Sequence, residues 1–291
     1  MKIAAASYPL DWFASWAEYE AKQTAWVSEA AGQGADLLVF PEYGAMELVS
    51  IAGEATAADT QRAMTAVSGM MPDANALHRD LAARFGVHIL GGSGSVIDDG
   101  KFVNRAFFHT PTGQTGFQDK QIMTMWERDQ MGVVGQSPLR LFDTALGKIA
   151  INICYDCQFP LLTRALREAD LILIPSTTEA AYGYWRVRIG ARARALETQC
   201  VTVMSSTIGP YEKLDLLATS HGGAGVFCPP DTGFPSDGIL ASAPQNQPGW
   251  TYAEVDPAAI ARVRATGVVR NRSHWPESEP MATEVERITL R

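Results

Sequence analysis

The chain has 291 residues, of which 46% are hydrophobic and 19% are charged, and its formal net charge at pH 7 is −8. This composition excludes an intrinsically disordered chain and is sufficient for one large α/β core. An acidic chain without a basic run also argues against nucleic-acid binding, because such binding depends on Lys and Arg neutralising phosphates.

Four cysteines, all in the second half of the chain, are too few for a disulfide scaffold. They predict free thiols in a reducing cytoplasm. No segment is long and apolar enough to span a bilayer. Residues 1–13 carry one Lys and an apolar run that Asp11 interrupts, which favours a first strand over a signal peptide. We therefore expect neither a membrane nor a nucleic acid among the partners.

In the first third of the chain, short apolar runs alternate with longer helical patterns. Strands are predicted at residues 3–8, 37–40 and 87–92. Helices are predicted at residues 16–32 and 60–85. The second helix is expected to break near Pro72, because proline lacks the N–H that a helix interior uses.

The rest of the chain alternates in the same way. A hairpin is predicted at residues 102–110 and 116–120. Further strands are predicted at residues 148–153, 170–174, 201–205, 225–228 and 251–255, and further helices at residues 159–168, 185–198 and 257–263. Residues 229–250, which are rich in Gly, Pro and Ser, are predicted to be a long loop.

The alternation of strands and helices, with an inserted hairpin, indicates an α/β fold built in layers. Neither an internal repeat nor a linker-like segment divides the chain. We expect a single domain over residues 1–270, followed by a polar C-terminal tail over residues 271–291.

Three of the predicted strands end at a reactive side chain: Glu42, Lys120 and Cys154. Ligands of α/β sheets bind beyond the carboxyl ends of strands. The three side chains are therefore expected to meet in one crevice, although they are far apart in the sequence.

These residue types fit nucleophilic catalysis. A thiol is a weak nucleophile until it loses its proton, and a nearby carboxylate such as Glu42 can take that proton. A nearby ammonium such as Lys120 can stabilise the thiolate and the oxyanion of a tetrahedral intermediate. The backbone N–H of Tyr155, directly after Cys154, is the expected second donor to that oxyanion.

Each residue taken alone also has a structural explanation. Cys154 fits a buried core thiol, Glu42 fits a carboxylate at a helix N-terminus, and Lys120 fits a solvated hairpin lysine. Only their combination favours a reaction centre.

The surrounding sequence strengthens that combination. Residues 37–44 read LLVFPEYG, residues 117–128 read FQDKQIMTMWER, and residues 147–160 read GKIAINICYDCQFP. In order and spacing these segments resemble the three signatures of the carbon-nitrogen hydrolase (nitrilase-like) superfamily. The segment RARALETQ at residues 192–199 is also typical of that family.

The resemblance implies a four-layer αββα sandwich that usually dimerises through one helical layer. It implies that Glu42 is the general base, Lys120 the oxyanion-stabilising lysine and Cys154 the nucleophile that forms a thioester. It also implies that Glu127 positions Lys120 and the substrate. Hydrolysis in this family needs no metal and no organic cofactor, and the five histidines of the chain form no metal-binding spacing.

Two departures concern the segment after the nucleophile. Gln158 and Leu161 stand where many amidase-like members carry Arg and Glu, so the following helix is expected to be held differently. Tyr155 and Asp156 stand where nitrilases typically carry Trp and Glu. This resembles the amidase or carbamoylase side of the superfamily and favours an amide substrate over a nitrile.

The sequence therefore predicts hydrolysis of a small linear amide or N-carbamoyl compound. The candidate substrate contacts are Tyr43, Thr178, Glu179, Tyr182 and Trp185. Alternatives are an acyl or amide-group transferase or a nitrilase with the same centre, or a catalytically silent binding module with the same fold. A thiol-disulfide protein using Cys154 and Cys157 is a further alternative, although Cys157 more readily fits a packing role.

Overall fold

The computed structural model describes residues 1–282 and 285–290, and the remaining three residues lie in the segment predicted to be a tail. Its strands are β1 Lys2–Pro9, β2 Leu37–Val39, β3 His88–Leu90, β4 Gly94–Asp98, β5 Lys101–His109, β6 Thr115–Asp119, β7 Leu141–Thr144, β8 Gly147–Ile151, β9 Leu171–Ser176, β10 Val201–Pro210, β11 Thr219–Ser220, β12 Gly225–Phe227, β13 Ile239–Ser242 and β14 Gly249–Glu254. Its α-helices are α1 Trp16–Gly32, α2 Glu54–Ala57, α3 Thr60–Phe85, α4 Pro160–Ala165, α5 Ala181–Thr198, α6 Pro257–Thr266 and α7 Asn271–Ser278.

The strands form one curled, mixed sheet. Its main path runs β4-β5-β3-β2-β1-β10-β9-β8-β7. β1 pairs in parallel with β2 and β10, and β8, β9 and β10 are parallel to one another. Such strands are buried on both faces and are therefore nearly continuous apolar runs, which is why sequence patterning finds them.

The two faces of β1 pack against different layers. Ala4 and Ala6 belong to the core that contains residues of α1 and α3. Ile3 and Ala5 belong to the core that contains β8, β9, β10 and the inner face of α5. Neighbouring residues of a strand point to opposite faces, so one face of the sheet packs on helices and the other faces the inner core. The curled sheet thus supplies two inner layers, and the order of layers is helix, sheet, sheet, helix. The predicted αββα sandwich is confirmed.

Several predicted element boundaries are wrong. α3 continues through Pro72, because its buried face, which includes Met64, Val67 and Leu81, holds the helix on the sheet across the proline. The predicted loop at residues 229–250 contains β13, which pairs with β12. α5 begins at Ala181, four residues before its predicted start.

Part of the predicted tail is helical. α7 lies against the region of α4, where Arg164 donates a hydrogen bond to the carbonyl of Trp275 at 3.2 Å. Residues 283, 284 and 291 of that tail lie outside the described residues. Within the described part of the chain, none of the helices combines the length and apolarity needed to cross a membrane.

The carboxylate of Asp156 fastens two loops together. Its Oδ1 accepts the backbone N–H of Ile122 at 2.8 Å, both oxygens accept that of Gln121 at 3.1 Å, and Oδ2 accepts that of Ile153 at 3.2 Å. The turn after β8 is thereby tied to the loop after β6. These are the turns at which Cys154 and Lys120 stand.

We expect Asp156→Asn to lower the free energy of unfolding by about 1–3 kcal/mol, because the new amide would point N–H groups at N–H donors. The measurement is urea unfolding at pH 8, since burial raises the pKa of Asp156 to about 7 and the carboxyl is then ionised. Asp143→Asn, at an exposed position of β7, is the matched control. Equal unfolding midpoints for the two variants would contradict this role.

Candidate active site

The side chains of Glu42, Lys120 and Cys154 line one cavity of about 680 Å³. Glu42 follows β2, Lys120 follows β6 and Cys154 follows β8. All three are buried, with 0%, 1% and 5% of their surfaces exposed. The structure therefore brings together the three residues that the strand ends predict.

The Lys120 ammonium lies between two carboxylates. It donates hydrogen bonds to Oε1 of Glu42 at 2.8 Å and to Oε2 of Glu127 at 2.7 Å. Glu127 begins a short π-helical turn, Glu127–Met131. Its Oε2 also accepts the backbone N–H and the hydroxyl of Thr124, both at 2.9 Å, so the second glutamate is fixed by its own loop.

Glu42 is held by two further donors. Its Oε1 also accepts the side-chain amide of Asn104 at 3.0 Å, and its Oε2 accepts the backbone N–H of Thr177 at 2.9 Å. Oε1 thus accepts two hydrogen bonds and Oε2 accepts one, and the Cys154 thiol also interacts with this carboxylate. Asn104 and Thr177 were not predicted from the sequence, because neither an Asn inside a strand nor a backbone N–H forms a recognisable motif.

The pKa values follow from this enclosure. Burial raises the pKa of Glu42; the Lys120 charge opposes the rise, the Glu127 charge adds to it, and the net shift is upward. Burial would also raise the pKa of Glu127, but Lys120 outweighs it and holds that pKa below its ordinary value. Burial would lower the pKa of Lys120, but the two carboxylates keep it well above its usual range.

Cys154 stands at the start of a 3₁₀ turn, Cys154–Gln158, with a left-handed backbone angle φ of 49°. A non-glycine residue in this region is strained, and such strain concentrates at functional sites. The Cys154 Sγ lies 3.5 Å from the carbonyl oxygen of Thr177. Burial raises the pKa of the thiol well above its ordinary value, the Glu42 charge raises it further, and Lys120 opposes both. The raised pKa favours the neutral thiol at rest.

Tyr155 lines the same cavity. It is the second residue of the 3₁₀ turn, and the N–H groups in the first turn of a helix have no carbonyl partner within that helix. The predicted position of its amide beside the nucleophile fits this geometry.

The predicted substrate contacts divide into two groups. Tyr43, Thr178, Glu179 and Tyr182 line the cavity, and the Tyr43 hydroxyl donates a hydrogen bond to Glu127 Oε1 at 2.8 Å. Trp185 is absent from the described lining, which corrects the sequence expectation. Because α5 begins at Ala181, Trp185 lies on the outer side of the helix and is 48% exposed.

Other lining residues were not predicted as contacts. Arg186, Asp215 and Gln158 add polar groups, and Met125 and Trp126 add exposed apolar surface at the cavity. In the sequence, Gln158 stands out as a departure from the family pattern, and Met125 and Trp126 lie in the segment 117–128 that resembles a family signature.

Cys157 takes a packing position. It is buried, its thiol lies 3.6 Å from the carbonyl oxygen of Val187, and a Cβ added at Gly190 would meet its sulfur at 2.8 Å. The close approach of this turn to α5 thus requires glycine at position 190. All four cysteines are free thiols, and burial raises the pKa of Cys157 to about 12. Among the described residues, no cluster of His, Cys, Asp and Glu could hold a metal ion.

Comparisons with known sequences agree with this geometry. The carbon-nitrogen hydrolase family model matches residues 2–265. The "Probable hydrolase YhcX" of Bacillus subtilis is 34% identical over 272 residues, which cover 93% of this chain and 52% of that protein, so the chain spans about half the length of this relative. The "Omega-amidase NIT2" of Danio rerio is 26% identical over 255 residues, 82% of either chain.

Solved structures share the fold. Nit3 of Saccharomyces cerevisiae, a member of branch 10 of the nitrilase superfamily, has a TM-score of 0.72 at 19% identity and covers 94% of this chain and 96% of its own. A mutant of the amidase from Nesterenkonia sp. AN1, with the acetamide moiety of fluoroacetamide added covalently at its active site cysteine, has a TM-score of 0.71 at 20% identity and covers 97% of this chain and 96% of its own. With the family match across nearly its whole length, the chain belongs to the carbon-nitrogen hydrolase family.

Proposed function

We propose that this protein hydrolyses a carbon–nitrogen bond, other than a peptide bond, in a small linear amide or N-carbamoyl compound. The observation that carries the proposal is the Lys120 ammonium, held between Glu42 and Glu127 beside the Cys154 thiol in one cavity. Relatives named omega-amidase and deaminated glutathione amidase support an amide substrate over a nitrile. A cavity of about 680 Å³ suits a small molecule.

In the first step, the Cys154 sulfur attacks the substrate carbonyl while Glu42 Oε2 takes the thiol proton. Because the resting thiol is neutral, the negative charge passes from the carboxylate to the carbonyl oxygen only as the new bond forms. The Lys120 ammonium and the Tyr155 N–H meet that oxygen. Donors fixed in advance around a developing charge supply a large share of such catalysis.

In the second step, Glu42 returns the proton to the departing nitrogen, and ammonia or an amine leaves the thioester. Water then enters, gives a proton to Glu42 and attacks the thioester carbon. The sulfur leaves and regains the proton, and the acid is released. Glu42 thus exchanges one proton in each half of the cycle, while Glu127 keeps the Lys120 ammonium in place.

We expect Cys154→Ala and Glu42→Gln each to reduce ammonia release by at least about 10³-fold, because each removes a group that takes part in every bond-making step. The assay is a screen over amides, N-carbamoyl amino acids and nitriles, with and without an added amine acceptor.

Cys157→Ala is the matched control, since it removes a buried thiol outside the cavity lining and should leave the rate unchanged. Full activity of Cys154→Ala or Glu42→Gln would refute the mechanism. Loss of activity in Cys157→Ala alone would favour thiol-disulfide chemistry. Product formation only with the added amine would favour a transferase.

The pH dependence follows from Glu42, which must be ionised to accept the thiol proton. Its pKa is raised above the ordinary glutamate value of about 4.3, so activity should fall with decreasing pH while the pH is still above that value. The measurement is kcat/KM against pH, with circular dichroism to show that the protein remains folded. A constant rate down to pH 4 in folded protein would contradict the assignment of Glu42 as the base.

We also propose that the protein is a homodimer joined through the outer face of α5. Trp185, Ile189 and Leu196 are exposed there at helical spacing, and Leu161 of α4 is 74% exposed. Contiguous exposed apolar surface marks interaction sites. A stripe along one helix suits a twofold contact with a second copy, in which the same patch serves both partners.

The oligomeric state tests this interface. We expect the protein to sediment as a dimer and Ile189→Glu to sediment as a monomer, because two buried carboxylates would face each other across the twofold axis. Ile97→Glu, at an exposed apolar position of β4, is the control and should remain dimeric. A monomer in all three samples would exclude the interface.

The cellular compartment that we propose is the reducing cytoplasm. Cys154, Cys157, Cys200 and Cys228 are free and buried, and a reactive thiol is preserved where disulfide formation is disfavoured.

A further inference from the structure

The buried carboxylates of Glu42 and Glu127 share a second contact besides the Lys120 ammonium, which is the side-chain amide of Asn104. The side-chain amide nitrogen of Asn104 lies 3.0 Å from Glu42 Oε1 and 3.4 Å from Glu127 Oε1. The backbone carbonyl of the same Asn104 accepts the N–H of Lys120 at 2.9 Å. Asn104 is itself fully buried in β5, so one residue contacts both carboxylates and the backbone of Lys120.

Ser93 holds the opposite side of that amide. The Ser93 oxygen accepts the backbone N–H of Tyr43 at 2.9 Å, and its hydroxyl lies 2.6 Å from Asn104 Oδ1. Because an ionised carboxylate can only accept hydrogen bonds, Asn104 Oδ1 lies on the side of Ser93 and accepts the one proton of its hydroxyl. The NH₂ group of Asn104 must then point at Glu42 and Glu127.

The charge balance explains why such a donor is needed. With both carboxylates ionised, one ammonium leaves the buried trio with an excess negative charge, which burial disfavours. A neutral amide donor stabilises that charge and adds no group that can lose or gain a proton. It therefore lets Glu42 stay ionised while Glu127 keeps its bond to Lys120.

We propose that Asn104 is a positioning residue that holds Glu42 in its ionised, proton-accepting state, and that Ser93 fixes the orientation of the Asn104 amide. The inference rests on the proposed function, in which Glu42 is the base. The titratable groups whose charges act on Glu42 are few, and they come from several elements: Tyr43, Lys120, Glu127, Cys154 and Cys157.

The test follows alkylation of Cys154 by iodoacetamide as a function of pH, with the modified peptide identified by mass spectrometry. This readout needs no knowledge of the substrate. Without the Asn104 donor, Glu42 should hold its proton to higher pH. The alkylation rate should fall at low pH as Glu42 becomes protonated. We expect the midpoint of this fall to move up by about one pH unit in Asn104→Ala. In Ser93→Ala it should move in the same direction by a smaller amount.

Asn152→Ala is the matched control. Asn152 is equally buried, but its amide donates to the Thr163 hydroxyl and contacts no carboxylate. The midpoint of the fall in alkylation rate at low pH should be the same in Asn152→Ala as in the protein without substitutions. An unshifted midpoint in both Asn104→Ala and Ser93→Ala, or an equal shift in Asn152→Ala, would overturn the inference. If Cys154 is not alkylated in the protein without substitutions, the proposed function is overturned instead.

Discussion

The Lys120 ammonium is enclosed by Glu42 and Glu127 in a region that is almost closed to water, and the remainder of the site is arranged around this contact. Removing one partner of a buried ion pair leaves an uncompensated charge and typically costs about 3–5 kcal/mol. The contact requires that β2 and β6 end, and that the π-helical turn Glu127–Met131 begins, at one place. The αββα layering provides this arrangement, since it gathers distant strand ends at one cavity.

The charge arrangement also determines how the sulfur reacts. In many thiol enzymes a neighbouring cation produces a resting thiolate. Here burial and the Glu42 charge raise the pKa of Cys154, which favours a neutral thiol at rest. In the proposed mechanism, its reactivity depends on Glu42 and on the oxyanion donors, Lys120 and the Tyr155 N–H. Such a thiol is less exposed to oxidation than a resting thiolate would be.

Much of this account could be predicted from sequence, and the failures have physical causes. Glu42, Lys120 and Cys154 were found because each follows an apolar strand inside a recognisable segment. Asn104 was missed because a buried polar residue on a strand has the same pattern as an exposed one. The predicted helix break at Pro72 was wrong because burial of one face of α3 outweighs the lost hydrogen bond. The predicted position of Trp185 in the cavity was wrong because α5 begins one turn earlier than its apolar pattern indicates.

Titration with iodoacetamide at neutral pH tests whether Cys154 is the nucleophile of this charged cluster. Residual ammonia-releasing activity is measured against the extent of alkylation, with every modified cysteine mapped by mass spectrometry. We expect activity to fall in proportion to a single label on Cys154, while the other three thiols stay unmodified. Activity that survives complete labelling of Cys154, or that is lost while Cys154 stays unlabelled, would contradict it.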